Sequence, residues 1–286
     1  MSAASSAQSA YQAPGQENFR NRPRGRFGIY GFTLVELLVV IAVIAILAAM
    51  LFPVFATTKE SGRRTRCALQ LKQLVQAVIS YADDNNGHYV PAASDIAGSN
   101  LCRWHGTRTS TNANSSFDPT KGPLWKYMGR SGGLKECPTL VNTANGFELG
   151  GGGFGYNQFY VGGTYYRNWG PEADQIASAT SDIAHPSMTI MFADTAMAAS
   201  PTKSVIEYSF AEPPYKVSPD GPGIATTSPS IHFRHNGMAN VGWCDGHISL
   251  QRMRWTAPGK NIYRCNNKAF ALGWFGPEDN RLFDNK

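Results

Sequence analysis

The chain has 286 residues and a formal net charge of +6, with 42% hydrophobic and 16% charged residues. This length allows one large or two modest domains, and the composition is that of a folded protein. The basic excess is divided equally, with +3 in residues 1–31 and +3 in the remainder. Because no basic patch is interleaved with aromatic residues, the sequence gives no support for a nucleic-acid partner.

The first part of the chain changes abruptly from polar to apolar. Residues 1–26 show no apolar periodicity, and we expect them to be disordered. From Leu37 to Phe52 no side chain is polar, and residues 32–35 extend this run to about twenty residues. At ~1.5 Å per residue such a helix crosses a hydrocarbon core of about 30 Å. The sequence therefore predicts a transmembrane helix over residues 32–55.

Helical periodicity returns after a short polar and basic segment. An apolar stripe with helical spacing predicts an amphipathic continuation of the helix over residues 56–84. Asp83 and Asp84, followed by Asn85-Asn86-Gly87, predict its end. We expect one long helix from about residue 32 to 84, with a bend at Pro53. The stripe consists of Leu71, Leu74, Val75, Val78 and Ala82.

Signals for strands and turns replace the helical pattern in residues 85–286. Short β-rich runs at 186–194, 239–244 and 247–250 predict strands, and the glycine-rich and aromatic stretch 146–166 predicts a loop region. These patterns predict an α+β fold, in which the long N-terminal helix packs on an antiparallel β-sheet of a globular domain. The expected units are a leader (1–31), a transmembrane helix (32–55), its amphipathic continuation (56–84) and a globular domain (85–286).

The chain has five cysteines, at positions 67, 102, 137, 244 and 265. No two form a CxxC pair, which argues against a zinc ribbon. In an oxidising compartment two disulfides and one free thiol are the simplest expectation, although fifteen pairings would satisfy it. Among them we favour Cys137 with Cys102 or Cys67, and Cys244 with Cys265.

The apolar run has three interpretations. It could be a plain signal anchor, or a secretory signal cleaved after Val54-Phe55-Ala56, before Thr57. Neither explains Glu36, because a carboxylate at a membrane boundary is costly unless it is paired. The third interpretation rests on the stretch GFTLVELLVVIAVIAILAAMLFP, in which glycine, phenylalanine, glutamate and proline occupy fixed positions.

That stretch resembles the class III signal of type IV pilins and type II secretion pseudopilins. The resemblance implies cleavage after Gly31 by a prepilin peptidase, which also N-methylates the new N-terminal residue, Phe32. Glu36 then becomes the fifth mature residue and pairs with the N-terminal amine of a neighbouring subunit during assembly. Pro53 occupies the position where the family often has a proline that kinks the helix.

The body carries a second resemblance. The helix RCALQLKQLVQAVISYADDNNGHYVP and the segment RHNGMANVGWCDGHI resemble a bacterial subfamily of these proteins, the prepilin-type processing-associated proteins with an H-X9-DG signature, which overlap the family DUF1559. The segment 235–246 holds the signature residues His235, Asn240, Asp245 and Gly246. This resemblance implies a family but no defined activity.

The signature itself leaves three alternatives. Asn236-Gly237 and Asp245-Gly246 are typical of hairpin turns, so the segment is first expected to be structural, with Asp245 capping a turn and His235 bonding across the sheet. A metal site is the second, with calcium as the preferred ion. A hydrolase using His235 and Asp245 is the third, although no G-x-S-x-G motif is present. The candidate metal ligands are Asp118, Asp194, His235 and Asp245, with His247 beside them.

The resemblances imply a structural subunit without enzymatic activity of its own. We expect a pseudopilin of a type II secretion pseudopilus or related pilus-like fibre, single-pass in the bacterial inner membrane, with a cytoplasmic N-terminus and its body in the periplasm or at the cell surface. The implied partners are the prepilin peptidase, other pseudopilins and the secretion assembly machinery. The alternative is a membrane-anchored module that binds polysaccharide through exposed aromatic residues. These are Trp104, Trp125, Tyr156, Tyr160, Tyr165, Tyr166 and Trp169.

Overall fold

The structure is a computed structural model that describes residues 31–112, 115–129, 136–140, 146–164, 172–199, 204–217, 224–261 and 263–284. Its contacts divide the chain into two units, Met1–Phe52 and Pro53–Lys286. Of the predicted leader, all but Gly31 lies outside the described residues.

A single long helix, α1, runs from Leu34 to Asp84 and contains Pro53. The missing N–H of this proline removes one intrahelical hydrogen bond, and the predicted bend there stays a prediction. The helix ends where the sequence predicts, because Asn86 and Gly87 adopt positive φ angles of 55° and 78° that stop helical bonding. The expected helix of residues 32–84 is thus found with its first turn two residues later.

The rest of the chain forms short elements. The strands are β1 (Cys102–Arg103), β2 (Gly106–Thr107), β3 (Phe154–Tyr156), β4 (Ile190–Asp194), β5 (Met197–Ala199), β6 (Ser204–Ile206), β7 (Tyr215–Val217), β8 (Ile224–Thr226), β9 (Ile231–His232), β10 (Met238–Trp243), β11 (Ile248–Arg252) and β12 (Leu272–Gly273). A short helix, α2, spans Glu172–Gln175, and 3-10 helices span Pro119–Lys121, Trp125–Tyr127, Thr180–Asp182 and Asn267–Phe270.

The central sheet has four antiparallel strands in the order β11-β10-β4-β3. Val241 in the middle of β10 pairs with Ala193 of β4 on one side and with Ser249 of β11 on the other. The remaining strands form two-stranded pairs, β1-β2, β5-β6, β7-β8 and β9-β12. The predicted α+β class, with a long apolar N-terminal helix and antiparallel sheets in a globular domain, is confirmed.

Both predicted turns of the signature segment are present. Asn236 and Gly237 have φ angles of 54° and 77°, and His235 and Met238 exchange backbone hydrogen bonds across them. Positive φ at both central residues is typical of the tight turns that join antiparallel strands. The second turn joins β10 to β11, and Asp245 caps it by accepting a hydrogen bond of 3.0 Å from the backbone N–H of His247.

The sheet is covered on both faces. The predicted stripe of α1 is buried, with Leu71, Val75 and Val78 at 0% exposure, and it packs in one core with Tyr156 and Phe192. The opposite face holds a second core. Its larger members are Ile190, Val241, Trp243, Ile231, Phe233 and Trp274. Strand β4 contributes to both cores, because Met191 and Phe192 lie in the first and Ile190 and Ala193 in the second.

One glycine permits the close approach of α1 to the sheet. A Cβ atom added at Gly242 would lie 2.6 Å from Cγ2 of Val75, which real Cβ atoms do not tolerate.

The structure corrects the expectation that the stretch 146–166 is a loop throughout. It contains β3, whose Phe154 and Tyr156 are fully buried and pair with β4.

Candidate functional site: an apolar helix start and a buried polar cluster

The start of α1 is closed by a capping box. Thr33 precedes the first helical residue, and its Oγ1 accepts a hydrogen bond of 3.2 Å from the backbone N–H of Glu36. In return, Oε2 of Glu36 accepts hydrogen bonds from the backbone N–H of Thr33 at 2.8 Å and from its hydroxyl at 2.7 Å. This reciprocal arrangement satisfies donors that a helix start leaves without partners, and it places negative charge at the positive end of the helix dipole.

The side chains that follow this cap are exposed. In residues 31–55 every side chain is exposed except Ala48, which is half-buried; Phe32 and Leu34 are exposed by 71% and 77%. Among the described residues, α1 is the one helix long and apolar enough to cross a membrane. A continuous apolar surface of this size marks a segment that contacts lipid or another protein.

In the globular unit, a buried polar cluster surrounds the start of the signature segment. Asp194, at the end of β4, is fully buried. Its Oδ1 accepts a hydrogen bond of 2.9 Å from Arg234, and its Oδ2 accepts one of 2.7 Å from the backbone N–H and one of 3.0 Å from the side-chain amide of Asn240. Because a buried carboxyl group is costly unless it is hydrogen-bonded, the contacts of Asp194 with Arg234 and Asn240 stabilise its buried position.

His235 connects this cluster to α1. Its Nδ1 lies 2.8 Å from Oε1 of Glu60, and its Nε2 lies 3.4 Å from Oδ2 of Asp194. Oε1 of Glu60 also accepts a hydrogen bond of 3.1 Å from the hydroxyl of Thr139. Burial lowers the pKa of the neighbouring His232 to about 3, and the charges of Arg234 and His235 act in the same direction.

A disulfide lies against the same histidine. Cys67 of α1 and Cys137 are joined, and both are buried. Sγ of Cys137 lies 3.7 Å from Nε2 of His235 and accepts a hydrogen bond of 3.3 Å from Nε of Arg234. Glu60 and Cys67 are seven residues apart, about two helical turns, so both side chains lie on the same face of α1.

Residues 27–52 match the family described as the Prokaryotic N-terminal methylation motif. The chain carries a type IV pilin-type signal. This signal supports a type IV pilin-like or pseudopilin-type precursor, and it implies processing by a prepilin peptidase and assembly into pilus-like fibres. Together with the exposed apolar helix, it indicates membrane anchoring. No curated protein and no solved structure matches the chain.

The pilin-type signal accounts for the glycine at position 31, whereas the fold does not require a glycine there. A Cβ atom added at Gly31 would meet no atom within 4 Å, and no positive φ requires glycine there. The fold of the described residues therefore tolerates a larger residue at this position. The assignments of Gly31 and Phe32 to cleavage and methylation, and of Glu36 to assembly, stay predictions.

The structure separates the four predicted metal ligands. Asp194 and His235 meet in the buried cluster, but Asp245 lies at the far end of β10, where it pairs with His247 at 2.6 Å. The six residues of β10 separate the two places by about 20 Å. Asp118 lies elsewhere again, where it caps a 3-10 helix by accepting hydrogen bonds from Thr120. Among the described residues, the structure therefore brings together Asp194 and His235 but neither Asp118 nor Asp245.

The cysteine pairings also differ in part from expectation. Of the favoured partners for Cys137, the structure selects Cys67, and it leaves Cys102, Cys244 and Cys265 as free thiols. The favoured pair of Cys244 with Cys265 is not formed. Cys244 follows β10, where burial raises the pKa of its thiol, whereas the backbone of Cys265 is held by Asn261 at 2.9 Å.

Two charged residues of the buried cluster were not among the sequence-based candidates. Glu60 stands in a basic segment that resembles a membrane flank, and Arg234 precedes the signature histidine. The seven-residue spacing of Glu60 and Cys67 was a usable signal, because it places both on one helix face. No signal in the sequence indicates that Arg234 pairs with Asp194.

Proposed function

We propose that this chain is a pseudopilin-like structural subunit of a type II secretion pseudopilus or a related type IV pilus-like fibre. The observation that carries the proposal is an exposed apolar helix with a capped carboxylate, Glu36, at its start, inside a matched N-terminal methylation motif. Lipid covers such a helix in the membrane, and the helices of neighbouring subunits cover it in a fibre. The chain acts by assembling, and no catalytic step of its own is part of the proposal.

The capping box leaves one carboxylate oxygen of Glu36 for a partner when the subunit passes from the membrane into a fibre. Oε2 of Glu36 is occupied by Thr33, but no hydrogen bond reaches Oε1 from the described residues. Cleavage after Gly31 creates a positively charged amine on Phe32. The amine of a neighbouring subunit can approach Oε1 while Oε2 keeps the helix capped. Pairing of the two charges removes the cost of holding either one alone in an apolar bundle.

The Cys67–Cys137 disulfide supports a body outside the cytoplasm. Structural disulfides persist in oxidising compartments and are rare in the reducing cytosol. We therefore place the N-terminus in the cytoplasm and the globular unit in the periplasm or at the cell surface, anchored by one span of the bacterial inner membrane. The proposed partners are the prepilin peptidase, other pseudopilins and the assembly machinery of the secretion system.

The test is fibre incorporation of a Glu36→Ala variant in the native host. We expect the variant to be cleaved and to remain in the membrane fraction, because its apolar helix is intact but the intersubunit pair is missing. Glu278→Ala is the matched control, since Glu278 is an exposed glutamate of the globular unit. Wild-type amounts of Glu36→Ala protein in sheared fibres would contradict the proposal.

The alternative is a polysaccharide-binding module, and several of the aromatic residues predicted to bind polysaccharide are buried or half-buried. Trp104 and Tyr156 are fully buried in the core, and Tyr160 is half-buried. Trp125 is half-buried and is the first residue of the 3-10 helix Trp125–Tyr127. Tyr165, Tyr166 and Trp169 lie outside the described residues.

A different feature keeps binding as a second candidate function. An open pocket of about 690 Å³ lies beside β11, and Trp243 and Phe275 line it together with Arg252, Arg254 and Arg281. The guanidinium of Arg281 is paired with Asp279 at 2.7 Å. This lining suits an acidic sugar, whose carboxylate pairs with arginine. Glycan-array binding by the detergent-solubilised protein, lost in an Arg252→Ala/Arg254→Ala variant, would support this function. An array without bound glycans would contradict it.

A further inference from the structure

Three potential metal ligands converge in the globular unit. Sγ of Cys67, Sγ of Cys137 and Nε2 of His235 all lie within 4.8 Å of one another, and all three residues are buried. They come from α1, from the segment before Leu140 and from the turn before β10, so the tertiary fold brings them together. Two thiolates with an imidazole are a ligand set that suits zinc, and soft ligands of this kind disfavour calcium and magnesium.

The histidine is oriented as a ligand. Nδ1 lies 2.8 Å from Oε1 of Glu60, which accepts its hydrogen bond, so in the neutral imidazole the proton is on Nδ1 and the unprotonated Nε2 faces the sulfur atoms. A carboxylate behind the distal nitrogen is the usual second-layer partner of a metal-bound histidine. Nε2 has two polar neighbours, and both are acceptors. They are Oδ2 of Asp194 at 3.4 Å and Sγ of Cys137 at 3.7 Å. A cation between Nε2 of His235, Oδ2 of Asp194 and Sγ of Cys137 would interact favourably with all three atoms.

A guanidinium group also lies beside the sulfur atoms. Nε of Arg234 donates a hydrogen bond of 3.3 Å to Sγ of Cys137, and a nearby guanidinium stabilises a deprotonated sulfur. Arg234 is itself fixed by Asp194 at 2.9 Å, so its position does not depend on the disulfide. The site is thus built by groups that remain in place when the sulfur–sulfur bond is broken.

We propose that the reduced form of this protein binds one zinc ion through Cys67, Cys137 and His235, with water or the Asp194 carboxylate as fourth ligand. A dithiol reductant supplies two electrons and two protons, which break the disulfide and leave two thiols, while the reductant becomes a disulfide. Zinc then replaces the two thiol protons, which pass to solvent. Because the disulfide and the metal use the same two sulfur atoms, each state excludes the other. The site is independent of the proposed function in a fibre.

The experiment uses the full-length protein in detergent, reduced with a dithiol that is then removed without oxygen. Cobalt(II) is added as a spectroscopic probe for zinc. We expect one equivalent to bind, with a thiolate charge-transfer band and the ligand-field bands of a four-coordinate ion, and we expect zinc to displace it. The oxidised protein should show none of these bands. Zinc should also raise the Tm of the reduced protein, leave that of the oxidised protein unchanged, and slow reoxidation of the thiols.

Variants assign the ligands. Cys67→Ser and His235→Asn should lose the bands of four-coordinate cobalt, while Cys102→Ser, which removes a free thiol outside the site, should keep them. Since His235 is buried and its variant could unfold, the Tm shift of the unsubstituted reduced protein is a second, independent readout. The proposal is overturned if the reduced wild-type protein shows neither the cobalt bands nor a zinc-dependent Tm, or if folded Cys67→Ser retains the bands.

Discussion

Nδ1 of His235 lies 2.8 Å from Oε1 of Glu60, and this contact fixes the start of the signature segment to α1. The end of the segment is fixed to the same helix, because Nζ of Lys72 donates a hydrogen bond to the carbonyl of Gly246. Glu60 and Lys72 are twelve residues apart, about 18 Å along a helix. The six residues of β10 span about 20 Å. The spacing between His235 and Asp245-Gly246 therefore matches the length of one strand to the length of helix between Glu60 and Lys72.

Double-mutant cycles on two histidine–carboxylate pairs test this structural role. We expect Glu60→Gln and His235→Gln to show a coupling free energy of about 1.5–3 kcal/mol, because the pair is hydrogen-bonded and His235 is buried. The pair of Asp245 and His247 is the matched control, since its side chains are 35% and 45% exposed. There the expected coupling is below about 1 kcal/mol. Urea unfolding supplies the four free energies of each cycle.

Equal coupling in the two cycles would contradict this interpretation. It would mean that the buried contact between His235 and Glu60 stabilises the fold no more than a solvent-exposed pair does.

The approach of α1 to the sheet depends on Gly242. We expect Gly242→Ala to lower the free energy of unfolding by about 1–3 kcal/mol, because its methyl group would lie 2.6 Å from Cγ2 of Val75. Gly98→Ala is the control, since the nearest atom there is 3.7 Å away. Thermal or urea unfolding of both variants measures the difference. A Gly242→Ala protein as stable as Gly98→Ala would show that the helix does not pack this closely.

Acid should destabilise the globular unit through His105. Burial, reinforced by the charge of Arg103, lowers the pKa of His105 to about 3 from the ordinary 6.5. Below pH 6.5, His105 of the unfolded chain therefore binds a proton, whereas His105 of the folded chain binds one only near pH 3. Stability that is fully present above pH 6.5 is lost as the pH falls, by up to about 1.4 kcal/mol per pH unit for this group.

The measurement compares the wild-type protein with His105→Gln by urea unfolding at pH 7, 6 and 5. The buried acids Glu207 and Glu212, whose pKa values are raised by burial, contribute equally to both proteins. We expect the wild type to lose stability more steeply than the variant as the pH falls. Parallel pH profiles would show that His105 does not titrate as its burial requires.

The sequence predicted the helix, its buried stripe and the hairpin of the signature because these depend on local patterns. The spacing of Leu71, Val75 and Val78 and the turn dipeptide Asn236-Gly237 are readable within a few residues. β3 was missed, since its three residues lie among glycines and offer too short an alternation to recognise.

The buried ionic contacts could not be predicted, because they join residues that are distant in the sequence. Arg103 and Glu148 form an ion pair of 2.7 Å with side chains only 2% exposed, although 45 residues separate them. Asp194 and Arg234 are likewise distant in sequence. The sequence placed Asp194, His235 and Asp245 in one candidate site because of their residue types, whereas the length of β10 keeps Asp245 apart from the other two.

The position of Gly31 permits a separate test of processing and folding. We expect Gly31→Leu to block cleavage and leave Tm unchanged, because a Cβ atom added there meets no atom of the described residues within 4 Å. Gly62→Leu is the matched control, since a Cβ at Gly62 also meets nothing within 4 Å. Immunoblots of membranes should show only precursor for Gly31→Leu and mature protein for Gly62→Leu. Normal maturation of Gly31→Leu would mean that cleavage occurs elsewhere.

The central claim is tested most directly by the N-terminal mass of the protein purified from membranes of its native host. We predict a mature chain that begins with N-methylated Phe32, because residues 27–52 match the N-terminal methylation motif and α1 begins just after this residue. A chain that begins at Thr57, or one that retains residues 1–31, would contradict the account, and Glu36 would lose its role in assembly.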